Sequence, residues 1–172
     1  MRVATRFTAG FVVTLTLASS IAAESPRATP KSVSIVIVPS QFDTFLVQTG
    51  NVNATFRDGH TEVWTHEGDC LMAKLSRRGN VGWVRIDKKS VDIERKDILG
   101  KDSLVIRLLD GTAKEFPPTD DNVNIMNWAF ADHDTTVIVR SMGHHGPSSY
   151  VKYEISTGRV IADVGCYTPP SQ

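Results

Sequence analysis

The stretch Ser103-Leu-Val-Ile-Arg-Leu-Leu-Asp-Gly-Thr-Ala-Lys-Glu-Phe116 decides the fold. Leu104, Ile106 and Leu108 alternate with Val105 and Arg107. That period of two belongs to an extended strand and not to a helix. Asp110-Gly111 then supplies a tight turn, and Thr112 to Phe116 can return beside the first strand. Pro117-Pro118 ends the return, because proline cannot donate to a ladder.

The same rhythm runs outward in both directions. Ser34 to Val38 is a β-branched run stopped by Pro39. Thr61–Thr65 and Cys70–Ser76 flank His66-Glu-Gly-Asp69, a hairpin pattern, and Val81–Ile86 follows the Arg78-Gly-Asn80 turn. Downstream, 135–141, 150–155 and 159–164 alternate in the same way, the last placing Val160, Ala162 and Val164 on one face. Short strands every 8–12 residues, separated by Gly, Asp and Asn turns, predict an all-β fold. The expectation is one small antiparallel meander: a sandwich, a barrel or a propeller-like arrangement. Two segments depart from the rhythm. Residues 90–99 fit a short helix, with Ser90 as N-cap and Gly100 just past its end. Residues 123–130 fit either a strand or a helical turn.

Trp128-Ala-Phe130, Thr136-Val-Ile-Val-Arg140, Tyr150-Val-Lys-Tyr-Glu-Ile155 and Ser156-Thr-Gly-Arg-Val-Ile161 together resemble one blade of a β-propeller. Asp58 to Trp64 and Asp69 to Ala73 resemble part of another. A full ring takes 4–8 blades, more than this chain can hold. The resemblance therefore implies antiparallel β structure, or half a ring that would pair with a second copy.

The chain opens with Arg2 and Arg6, an apolar run over 7–18, and small residues up to Ala23. This is the three-part pattern of a secretory signal peptide, and the apolar run is too short to span a bilayer. Residues 24–32, with Pro26 and Pro30, read as a disordered linker. A single β domain is expected over 33–166 and a tail over 167–172. Export to a periplasmic or extracellular space makes the two cysteines, Cys70 and Cys166, a natural disulfide pair. The basic and acidic residues balance at 19 each. No basic footprint for nucleic acid is present, and no second run is long enough to cross a membrane.

The most conspicuous polar stretch is Arg140-Ser-Met-Gly-His-His-Gly-Pro-Ser-Ser-Tyr150, a Gly/Pro loop between two strands. Met142, His144, His145 and Tyr150 are its candidate binding residues. A catalytic zinc site needs about three protein ligands in fixed geometry, and neither the five histidines nor the two cysteines have that spacing. Ser148 and Ser149 lack the G-x-S-x-G elbow of a serine hydrolase. Asp132-His-Asp134 lacks the continuation of a calcium loop and reads as a polar hairpin loop between Phe130 and Thr135. Asn53-Ala-Thr55 matches the glycosylation acceptor. The three tryptophans, Trp64, Trp83 and Trp128, read as core or sheet surface. No catalytic residue, metal or cofactor is assigned. The leading expectation is a small exported protein that acts by binding a protein, an envelope polymer or a small ligand. The alternatives are a hydrolase, metal-dependent or otherwise, built on the His144/His145 loop, and a structural oligomer.

Overall fold

The computed structural model describes residues 28–38, 48–86, 91–92, 97–98, 102–118, 124–142 and 148–164. Within them the chain is antiparallel β structure arranged as two main sheets, and neither closes into a barrel. β1 (Ser32–Ile37), β2 (Gly50–Thr55), β3 (Thr61–Val63), β4 (Cys70–Leu75), β5 (Val81–Arg85), β8 (Ser103–Arg107) and β9 (Ala113–Phe116) form the first sheet. β10 (Asn124–Ala131), β11 (Thr136–Met142), β12 (Ser148–Glu154) and β13 (Val160–Val164) form the second, in sequence order. The expected hairpin forms over 103–116, with Leu104 opposite Phe116 and Arg107 opposite Ala113.

The alternation read from the sequence divides the side chains between two cores. Leu71, Val84, Leu104, Ile106 and Phe116 face the second sheet and meet Ile125, Trp128, Val137, Val139, Val151 and Tyr153. This is the sandwich core. On the opposite face, Cys70, Val81, Trp83 and Val105 pack beneath Val52 and the half-buried Val33, Ile35 and Trp64. β1, β2 and β3 therefore cover the outside of β4, β5 and β8. The two layers share one ladder position, where Gly50 pairs with Cys70. A side chain cannot fit at Gly50, because a Cβ there would lie 2.0 Å from the Val36 carbonyl oxygen.

A bulge in β4 couples the two sheets. The ladder skips between Leu71 and Lys74, and Met72 takes a left-handed φ of 55°. The extra residue puts Ala73 and Leu75 on the face of Cys70 and turns Lys74 toward the second sheet. There Lys74 donates to Asn127 Oδ1 at 3.0 Å and to the Trp128 carbonyl oxygen.

At its described residues the segment expected as a helix over 90–99 is extended. Its described residues are two short strands, β6 (Val91–Asp92) and β7 (Asp97–Ile98), paired Val91 to Ile98 and Asp92 to Asp97. Valine and isoleucine, frequent in this segment, favour strands over helices, and an isolated helix of ten residues is marginal in water. The ambiguous segment 123–130 is a strand, and β2 is a strand the pattern did not announce. On β13 the expected single face is broken: a bulge leaves Ile161 unpaired, so Val160 opposes Tyr153 while Ala162 opposes Lys152.

Candidate functional site

The sequence-derived site lies on the outer face of the second sheet. Arg140 pairs with Tyr150, and Met142 with Ser148, so Met142 and Tyr150 are diagonal neighbours on that face. Tyr150 is 45% exposed, and the Arg140 guanidinium stands 5.8 Å from its ring centroid. His144 and His145 lie outside the described residues. Ser148 accepts from Arg140 Nη2 at 3.2 Å. Ser149 is buried, its hydroxyl 3.0 Å from that of Ser141.

A second region, unforeseen from the sequence, is concave. Three turns build it by one local pattern. In residues 56–60, 76–80 and 108–112 the first residue's N–H donates to the fifth residue's carbonyl, and the fourth residue, a glycine, donates back to the first. Gly59, Gly79 and Gly111 have φ of 90°, 88° and 84°, a conformation that other residues adopt only under strain. Phe56, Gly79, Leu108, Leu109 and Gly111 from these turns line a trough of about 400 Å³. Ala28 and Pro30 form its other wall. The end of the segment expected as a linker is thus seated: Pro30 is buried, and Lys31 N–H donates to the Thr55 carbonyl oxygen at 2.7 Å. A second depression of about 500 Å³ adjoins it and shares Ala28, Phe56 and His60.

Along the trough runs a polar ladder set by the alternation of β3. Asp58 Oδ1 accepts from the backbone N–H of His60 at 3.1 Å and lies 2.5 Å from its Nδ1. His60 lies flat on Phe56, with centroids 4.4 Å apart and planes within 3°. Glu62 Oε1 is 3.6 Å from His60 Nε2, and Glu62 Oε2 accepts from Trp64 Nε1 at 2.8 Å. The Arg107 guanidinium covers the Trp64 ring at 4.5 Å. The Asp58 hydrogen bond raises the imidazole's pKa above its ordinary value, and the imidazole in turn lowers the Asp58 carboxyl. Asp58-Gly59 followed by His60, Glu62 and Trp64 at every second position was the legible signal for this ladder. What the sequence could not supply was the meeting of the three turns.

Asp132, His133 and Asp134 form the turn between β10 and β11, with successive positive φ of 47°, 55° and 66°. Asp132 accepts from Lys152 Nζ at 2.6 Å and Thr136 Oγ1 at 2.8 Å, which holds its carboxyl below the usual range. Asp102 is 5% exposed and accepts from the Ile125 N–H at 2.9 Å; burial pushes it up to about 6. Cys70 is buried, with its Sγ near Asp69 Oδ1 and Thr65 Oγ1, and as a thiol it is pushed up to about 12 by burial. Cys166 lies outside the described residues. Asn53, the acceptor position noted in the sequence, sits in the middle strand of β1-β2-β3. Among the described residues no group of three or more His, Cys, Asp or Glu could hold a metal ion, and no helix is long and apolar enough to cross a membrane. In comparisons with known proteins, no family model, curated protein or solved structure matches the chain.

Proposed function

We propose that the protein is a small exported binding protein and that its ligand occupies the trough beside Phe56, His60 and Trp64. The carrying observation is concavity. A volume of about 400 Å³ lies between the N-terminal arm and three glycine-fixed turns, within the range of small-ligand sites. Aromatic rings and a few oriented polar groups meet there, and the rigid turns preorganise them. The Trp64 indole N–H, held by Glu62, is a built-in reporter. A library of small molecules screened by nuclear magnetic resonance should yield ligands that move the Trp64 indole signal. Ligands that move only signals of Tyr150 and its neighbours would overturn the assignment.

That last outcome would favour a second reading, a protein-contact face on the second sheet. Its specific support is Tyr150, exposed and backed by Arg140 beside Met142. Export also carries the proposal of a Cys70–Cys166 disulfide. A 2 Da mass increase on reduction, about one hydrogen per thiol, supports it; an unchanged mass removes it.

A further inference from the structure

Resting on the trough as the binding site, we propose that its ligand is an uncharged oligosaccharide, a run of neutral sugar rings lying across His60. Three features of the lining point to this class.

The first is charge. The carboxylates of Asp58 and Glu62 are balanced by the guanidiniums of Arg57 and Arg107, all of which border the two depressions. Three of these four are already engaged: Asp58 on His60, Glu62 on Trp64 and Arg107 over the Trp64 ring. With the His60 imidazole neutral, the lining therefore presents no net field to draw in an anion or a cation.

The second is the pairing of flat rings with planar polar groups. A sugar ring has a C–H face and an edge of vicinal hydroxyls. The C–H face packs favourably on a flat ring through dispersion and the loss of apolar area to water. His60 turns one face to Phe56 and leaves about half of its side-chain surface exposed. Each hydroxyl both donates and accepts, so a vicinal pair can clasp one carboxylate. An ionised carboxylate has room for about four hydrogen bonds. The hydrogen bonds from His60 converge on Asp58 Oδ1, and Glu62 gives Oε2 to the Trp64 indole. Both groups keep acceptor capacity for hydroxyls while their orientation stays fixed.

The third is shape. The two depressions meet at Ala28, Phe56 and His60. An occupant that fills both must be extended and must cross the His60 ring.

The test uses nitrogen-15-labelled protein and three neutral probes: cellohexaose, maltohexaose and the fully N-acetylated chitohexaose. The Trp64 indole signal is identified by its loss in Trp64→Phe. One probe is expected to move the Trp64 and His60 signals, with a Kd of roughly 0.1–1 mM. His60→Ala should weaken that probe about tenfold at an unchanged urea midpoint, whereas raising the salt to roughly 0.5 M should leave its affinity unchanged. If no sugar at roughly 10 mM moves Trp64, while an acetylated and amidated Pro-Ala repeat peptide does, the sugar class is overturned and the trough stands as a peptide site. If neither sugars nor peptide move it, the sugar proposal fails together with the trough reading.

Discussion

The indole Nε1–H of Trp128 donates to the carbonyl oxygen of Met72 across 3.0 Å. Met72 is the left-handed residue of the β4 bulge, and Trp128 lies in the first strand of the second sheet, 2% exposed. The bulge therefore does two things at once. It re-aims β4, and it leaves a carbonyl free of the ladder to satisfy a buried indole. Lys74, two residues on, donates to the Trp128 carbonyl and stands 5.1 Å from its ring centroid.

This seat allows no side chain at Gly82. A Cβ there would lie 2.5 Å from Trp128 Cη2 and 2.5 Å from Ile106 Cδ1. Gly82→Ala should destabilise the fold by about 1–3 kcal/mol through overpacking. Trp128→Phe should be destabilising alone, but should recover part of the Gly82→Ala loss when the two are combined. Urea midpoints of the four proteins give the coupling, and strict additivity would reject a shared seat.

The legible part of the fold was its alternation. Leu104 and Ile106 could be sorted to the face opposite Val105 from sequence alone, because side-chain direction in a strand is local. Less was legible where structure depends on partners. β2 reads Gly-Asn-Val-Asn-Ala-Thr, with little β-branched content, yet it is the middle strand between β1 and β3. Residues 90–99 had plausible caps but no apolar stripe to hold a helix. The candidate site divided in the same way. The diagonal between Met142 and Tyr150 follows from strand pairing. The trough requires the turns 56–60, 76–80 and 108–112 to converge, which no local signal encodes.

Asp102 should set an acid-side slope in stability. Its carboxyl binds a proton more readily folded than unfolded, being pushed up to about 6 from 3.8. Its contribution is therefore most favourable below about pH 4 and is lost as the pH rises toward 6. The size is on the order of 2–3 kcal/mol. Asp102→Asn keeps an acceptor for Ile125 N–H without the charge. It should be more stable than the parent at pH 7 and nearly equal to it at pH 4. Urea titrations of both proteins across this range check the difference, and parallel curves would refute it.

Cys70 should be chemically silent in the folded, reduced protein. Burial beside Asp69 pushes its thiol up to about 12, so almost no thiolate is present at pH 8. In Cys166→Ser, alkylation of Cys70 by iodoacetamide should proceed only through unfolding and accelerate with urea along the unfolding curve. Rapid labelling in native buffer would contradict the burial.

The Asp58–His60 pair should be visible as a displaced imidazole titration. The hydrogen bond that the His60 ring donates to the Asp58 carboxylate is the largest cause of its raised pKa, with Glu62 adding in the same direction. Both partners are exposed, so the pair should add little to global stability and should act chiefly on the shape of the trough. In the parent protein the His60 ring signals should titrate above the ordinary histidine value of about 6.5. Asp58→Asn removes the charge but keeps an oxygen at the turn. It should lower that midpoint while leaving the urea midpoint nearly unchanged, because the turn is still closed by Gly59 and the Phe56–His60 backbone hydrogen bond. Deprotonation should also loosen His60 from Asp58, since the imidazolium is the stronger donor. Above the midpoint the Trp64 indole signal should shift with His60, because Glu62 lies between them. A Trp64 signal that stays fixed while His60 titrates would break the ladder into independent groups.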